Sequence, residues 1–569
     1  MTRWRALIAA VGSLALVASA CGPTPPTGGG GQTAAPDETP QQGGRIIEGS
    51  FADIKTLQPV LIADNPSNGV AALIYDGLFL LDPKTGEPKP GMASWTVSPD
   101  GLTYTWEIDA GANWSDGKPV IAEDFLTIVK AFARSVATVR KGNFSDVEGF
   151  AAYSDGSATS ISGITIDATN PKTFSVSFTR VFCPALLNVF GWAPLPTHVF
   201  GKYTVDDDQT KNIDEAPENA NPPVASGPFK FKEWRQGDQV ILERNATYWD
   251  GAPLVDEYVF KVVADATVLA AQLKTGEINY GAIEAKDLED MERQENLNTY
   301  TWQALSYTYA AWNLRQEVFQ DKRVRQALAY GLDMDAVVQT ILFGQGTKMV
   351  AHHPPASWAA PEGLEDYPYD TAKAESLLQE AGYTKGGDGI YQKDGQPLAF
   401  TLVTNQGNKV RETFVQIAAE QYRLIGVQVT PKLEAFQGIV DKLLGASPEI
   451  EGVVIGWALG AEPDPHSIWH SSQIPDPAQN VSGFNFVAYD NAELDQAIQE
   501  ARAPSDGDCS IAARKGHYDR FNEILNEEQP YNFGFSALAI WVTPGNMRGY
   551  DPGAFGHRWN IQDWWFKTE

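Results

Sequence analysis

The stretch that most limits what this chain can become lies at its start. Ala6 to Ala20 is an uncharged, apolar run, preceded by Arg3 and Arg5 and closed by the small residues Ala18, Ser19 and Ala20 ahead of Cys21. A bilayer-spanning helix needs about 20 apolar residues, so this shorter run reads as a secretory signal peptide over residues 1–20. The fold must therefore form outside the cytoplasm. The next segment gives it no core. Gly22 to Gly44, GPTPPTGGGGQTAAPDETPQQGG, carries no aliphatic or aromatic side chain larger than alanine and has too little to bury to offset the cost of ordering. With Cys21 it reads as a tether, on the order of 25–30 Å long as a flexible coil. The folded body starts at Arg45.

Leu16 to Gly22, LVASACG, resembles a bacterial lipobox, in which the cysteine is lipidated and becomes the mature N-terminus. That pattern prefers Leu three residues before the cysteine, and Ala18 stands there. Plain secretion with a free Cys21 is the alternative. Each buried methylene of an acyl chain contributes about 0.8 kcal/mol, so several chains on Cys21 would hold the protein on a membrane. The two other cysteines, Cys183 and Cys509, enter an oxidising space where they can form a disulfide. The sequence leaves open whether they meet.

At 569 residues the chain is too long for a single core, so two or more lobes are expected. Acidic residues outnumber basic ones 72 to 43, a net charge of −29, and such a surface repels nucleic acid and anionic lipid. The 16 Trp exceed ordinary core needs and suit an aromatic-walled cleft, although any single one is first a candidate for the core.

Arg45–Ser50 has a short strand pattern. Leu102, Tyr104, Trp106 and Ile108 alternate at period two behind the turn Ser98–Gly101, which predicts a half-buried strand. Asp321 caps a helix with Val324, Ala327 and Leu328 on one face and Gly331 at its end. Asp333 starts a second, ending before Gly344. Ala372–Ala381 and Val410–Leu424 are further helices, the last succeeded by a strand at Val427–Val429. Strands and helices interleave without a repeat, which predicts α/β lobes built on sheets. No later run is long and apolar enough to cross a membrane.

Four segments, in order, resemble one family. The first supplies Tyr75, Gly77, Leu78, Pro90, Trp95, Asp100, Gly101, Tyr104, Thr105, Asp116, Gly117, Ala122 and Asp124. The second supplies Gly227, Pro228, Asn245, Tyr248, Trp249, Leu273, Gly276 and Glu277. The third is Trp312-Asn313 with Asp321 to Asp333, and the fourth Ala374 to Tyr383 with Asp394 to Leu398. The set resembles the extracellular solute-binding proteins of family 5, which serve peptide and nickel importers. Departures at Asp109, Trp114, Ser115, Ser226 and Asn279 fall on scaffold positions.

The resemblance implies an α/β, two-lobed periplasmic-binding-protein type II fold of cluster C, with an extra subdomain in the first lobe. Lobe I would be residues 43–75, 201–300 and 532–569, the extra subdomain 76–200, and lobe II 301–531. Solute would bind between the lobes, which close by hinge motion. It implies a monomer that needs no cofactor, is held on the outer face of the membrane by lipid, and delivers peptide to the permease and ATPase subunits of an ABC importer. In relatives an acidic residue in the loop after a Trp pairs with the peptide's amine. Here that loop is Gly456–His470, with Trp457 as a cleft wall and Glu462 and Asp464 as acidic candidates, one residue out of register. A turn and helix cap is the alternative for Asp464, and Trp469 reads as core. Arg315, beside Asn313, could pair with a ligand carboxylate or form a surface ion pair. Phe51 and Asp53 point into the cleft in relatives.

Three rival readings remain. Trp stacking suits cello- or xylo-oligosaccharides. His466 and His470, four apart near Asp464, suit a metal or its chelate, with His352-His353 a second pair. A secreted hydrolase would use paired carboxylates, but no Gly-x-Ser-x-Gly, His-Glu-x-x-His or phosphate loop appears.

Overall fold

The computed structural model describes residues 38–205 and 212–568. The signal peptide and Cys21 lie outside them. Three sheets organise the chain. In the first, Arg45–Ser50 runs parallel to Glu257–Val262, which continues antiparallel into Gln239–Arg244 and Phe229–Arg235. A second sheet of four short strands, Ala93–Val97, Thr103–Ile108, Thr173–Ser177 and Ile164–Ile166, lies within residues 76–200. Its core is aromatic, with Trp106 fully buried between Trp95 and Phe190 at 5.2 and 4.8 Å. The third and largest carries Ser306–Trp312, Gly452–Ala458, Ala399–Asn405 and Gln428–Glu434 in that order. The molecule has the two-lobed type II fold.

One long strand serves two partners in succession. Tyr531–Pro544 pairs over its first half with Ser306–Trp312 and over its second half with Leu297–Gln303. Position 532, where the sequence suggests a return to lobe I, falls at the start of this strand, and the chain does not break there. Main-chain hydrogen bonding carries it across.

Local signals explain most elements. Asp321, Asp333 and Asp370 cap the helices Lys322–Tyr330, Met334–Ile341 and Thr371–Glu380, each accepting a backbone N–H of its own first turn. Asn408 does the same for Lys409–Leu424. The motif residues act as long-range ties. Asn245 Nδ2 donates to Gly227 O at 2.8 Å. Asp124 accepts from Trp114 Nε1 at 2.9 Å and from the Thr197 N–H at 2.8 Å. Asn279 grips the first strand from both sides, accepting from Ile47 N and donating to Arg45 O.

One sequence expectation changes. The tether does not run free to residue 44. Glu38 accepts from Arg548 Nε at 2.8 Å and Lys567 Nζ at 2.5 Å, and Gly43 N donates to Leu254 O. Composition offers no core here, but one carboxylate between two cations supplies an anchor. No helix among the described residues is long and apolar enough to cross a membrane.

Candidate ligand cleft

A cavity of about 720 Å³ is lined by residues from three stretches of the chain, 59–81, 140–193 and 309–486. Its floor on the first-lobe side is the helix Asn65–Ile74 with its cap Asp64, then Tyr75 and Asp76. The 76–200 subdomain contributes Arg140, Asn188 and Trp192. The large sheet contributes Tyr309, Trp457 and the loop through Asp464, joined by His352, Phe436, Phe484 and Phe486.

The far wall is aromatic. Trp457 lies 5.7 Å from Phe486, near parallel, and 5.3 Å edge-on from Phe484, with Tyr309 behind it at 6.1 Å. Alternation along Gly452–Ala458 brings Trp457 to this face, opposite Tyr307 in register. Trp469 is fully buried in the core beneath. Its Nε1 donates to His352 Nδ1 at 3.1 Å. An indole nitrogen only donates and burial keeps this imidazole neutral, so the ring hydrogen of His352 is on Nε2.

The acidic candidates lie in the predicted loop but are already paired. Glu462 is held by both guanidinium nitrogens of Arg514, with Tyr518 OH at 3.2 Å. Burial still pushes its carboxyl up, against the pull of Arg514. Asp464 accepts from Arg502 Nε at 2.9 Å, Asn188 Nδ2 at 2.8 Å and the His466 N–H at 3.0 Å. Both predicted acids line the cavity, and each also faces a buried arginine whose charge needs the carboxylate.

Four other candidates do not line the cavity. Asp53 accepts from Trp234 Nε1 and Gly237 N, and so fastens a strand turn. Asn313 donates to Ile450 O, and Arg315 donates to the carbonyls of Phe486 and Pro475. Arg315 thus holds the backbone behind the aromatic wall. Phe51 meets Phe436 edge-on at 5.1 Å from outside the cavity. His466 and His470 lie 4.6 Å apart, and His352 and His353 4.8 Å. Among the described residues no group of three His, Cys, Asp or Glu is placed to hold a metal.

Sequence reading passed over the two carboxylates that do face the cavity without a cation. Asp64 accepts from Ser67 N at 2.8 Å and Ser67 Oγ at 3.0 Å. Asp76 accepts from Trp249 Nε1 at 2.6 Å and Tyr248 OH at 2.9 Å. The Tyr248-Trp249 motif therefore serves this acid, a signal that could have found it. Burial pushes the Asp76 carboxyl up to about 6, against the hydrogen bonds of Trp249 and Tyr248. A raised carboxyl binds its proton more tightly folded than unfolded, so its contribution to stability is fully present at low pH and lost as pH rises through about 6. The expected result is that wild type gains on Asp76→Asn as pH falls from 7 to 4. The gain should be up to about 3 kcal/mol, read from urea unfolding at each pH.

The subdomain is fastened to the large sheet's side of the cleft. Cys183 and Cys509 form a disulfide, Cα–Cα 5.2 Å, across a sequence separation of 326. Beside it Cys183 N donates to Arg502 O at 2.8 Å, and the Arg502 guanidinium lies 4.9 Å over Phe182.

Known proteins share this architecture. The family described as bacterial extracellular solute-binding proteins, family 5 middle, matches residues 87–478. The chain belongs to that family. It is 32% identical to the oligopeptide-binding protein AppA of Bacillus subtilis over 534 residues, 92% of each chain. AppA's structure with a nonapeptide superposes at TM-score 0.83 and 31% identity, covering 93% of this chain and 100% of that one. The NikZ protein of Campylobacter jejuni, solved with Ni(L-His), superposes at 0.79 and 26%, covering 91% and 99%. The glutathione-binding protein GsiB of Escherichia coli is 26% identical over 497 residues, 85% of this chain and 88% of its own. Members of this family are binding proteins, and the cleft described above is where the lobes of such a fold meet.

Proposed function

We propose that this protein is the substrate-binding lipoprotein of an ABC importer. It would be anchored through Cys21 on the outer face of the membrane and capture short peptides between its lobes for its permease and ATPase partners. The observation that carries the peptide reading is the cleft's mixed chemistry. Ligand pockets of about 300–1,000 Å³ take small solutes, and this one, at about 720 Å³, offers aromatic walls together with unpaired carboxylates at Asp64 and Asp76. A peptide presents side chains to the first and an ammonium to the second. The likeness to AppA, solved with a nonapeptide, supports the same choice. With the extra subdomain 76–200 counted in lobe I, the limits proposed from sequence assign Asp64 and Asp76 to lobe I and the aromatic wall to lobe II, 301–531.

The aromatic wall also suits sugars, so the test is comparative. Thermal-shift screening of short peptides against cello- and xylo-oligosaccharides should raise the melting temperature with peptides alone, and native mass spectrometry of the purified protein should show retained peptide. Hits confined to sugars would replace the peptide reading. Turnover of any ligand would end the binding reading itself. Trp457→Ala removes the centre of the wall, and the expected result is roughly 10- to 100-fold weaker peptide binding by calorimetry with the fold intact.

A further inference from the structure

Tyrosines aside, six charged or titratable side chains line the cavity: Asp64, Asp76, Arg140, His352, Glu462 and Asp464. Glu462 and Asp464 are neutralised by Arg514 and Arg502, and His352 is neutral. Asp64 and Asp76 are hydrogen-bonded by neutral donors. That leaves one cation, Arg140, on the turn after the helix Ala122–Arg134.

Its surroundings are unusual for an arginine. The guanidinium lies over two rings, 5.3 Å from Trp192 and 5.1 Å from Phe484. One ring comes from the 76–200 subdomain and the other from the opposite wall. Stacking engages the flat face of a guanidinium and leaves the N–H groups in its plane for other work. No carboxylate comes within ion-pair distance of Arg140 among the described residues, and its buried Nε donates to nothing there. Burial alone holds its pKa down, to about 10, with no opposing pull from an acid. Arg140 is part-buried, with its Nε shut from solvent, and a partly desolvated cation with no counter-charge gains from an anion that supplies one. Among the described residues no acid of the cavity lining pairs with Arg140, so a ligand carboxylate can supply the counter-charge.

We propose that Arg140 is the carboxylate anchor of the cleft, taking the α-carboxylate of a bound peptide through its in-plane N–H fork while Trp192 and Phe484 hold the guanidinium flat. This rests on the peptide reading above and deepens it: the ligand is a peptide with a free C-terminus, short enough for that end to lie inside the cavity. A paired N–H fork is selective as well as attractive, because a carboxamide presents one acceptor and a repelling N–H where the fork expects two acceptors.

The test uses the whole protein and two equal pools of random peptides, three to nine residues long and free of Asp and Glu. One pool ends in a free acid and the other in an amide. Bound peptides are identified by mass spectrometry after rapid filtration. The wild type is expected to retain acids over amides by roughly 10- to 100-fold, as one charge-assisted interaction allows. Arg140→Gln should bring that ratio to near one, and Arg140→Lys should keep part of it. Equal retention of both pools by the wild type overturns the assignment of Arg140 and leaves the peptide reading standing. An undiminished ratio in folded Arg140→Gln does the same. Retention of neither pool removes the peptide reading and this assignment with it. Should Arg140→Gln fail to fold, the wild-type ratio and Arg140→Lys still decide.

Discussion

Asp464→Ala is expected to cost about 3–5 kcal/mol of unfolding free energy, read from the urea midpoint, because it strands a buried guanidinium. Arg502 is fully buried, the Asp464 side chain is 2% exposed, and their ion pair at 2.9 Å lies where the subdomain meets the large sheet. Asp464 also accepts from Asn188 of the subdomain, so the substitution loosens both partners. The double variant Asp464→Leu/Arg502→Met removes the charges together and should recover most of the loss, since replacing a whole buried pair by apolar groups is often neutral. If Asp464→Ala instead leaves stability unchanged and abolishes peptide binding, the carboxylate is a ligand anchor after all, and the structural role assigned to it is wrong.

Serine at both Cys183 and Cys509 should lower stability by about 5 kcal/mol, near the top of the range for disulfides, because the loop it closes is so long. The separation of 326 residues means that the unfolded chain loses much freedom when the bond is present. The same variant should release peptide faster. The bond ties the subdomain to the opposite wall, and Arg180 Nη2 to Gln499 Oε1 at 3.1 Å and Ser482 Oγ to Val136 O at 2.9 Å are weaker substitutes for it. Stopped-flow displacement with and without reductant reads this out on the wild type as well. Identical release rates in the two states would show that the bond stabilises the fold without governing the cleft.

What the sequence disclosed and what it hid divide along range. Caps such as Asp321 and Asp333 bond within their own first turns, and a reader of ten residues can find them. The ordered motifs disclosed the fold because each fixes a turn or a tie. The cleft is different. Glu462 and Asp464 were visible as acids in the right loop, but the arginines that occupy them lie 52 and 38 residues further on. Arg140 carries no local pattern, and its meaning comes from Trp192 and from Phe484, which arrive from distant parts of the chain. Trp457 was named from the family resemblance, and it lines the cavity. Arg315 donates to the carbonyls of Phe486 and Pro475, partners 171 and 160 residues away that no local pattern announces.

The bridge between Cys183 and Cys509 has a meaning in time as well as in space. A ribosome makes the first cysteine 326 residues before the second. The 76–200 stretch that carries Cys183 is thus made long before its partner exists, while the strands Ser306–Trp312, Ala399–Asn405 and Gly452–Ala458 of the large sheet are still to come. Only once residue 509 has been made can the bridge close, so its oxidation records that the chain has been made at least that far, with the strand Tyr531–Pro544 still to follow.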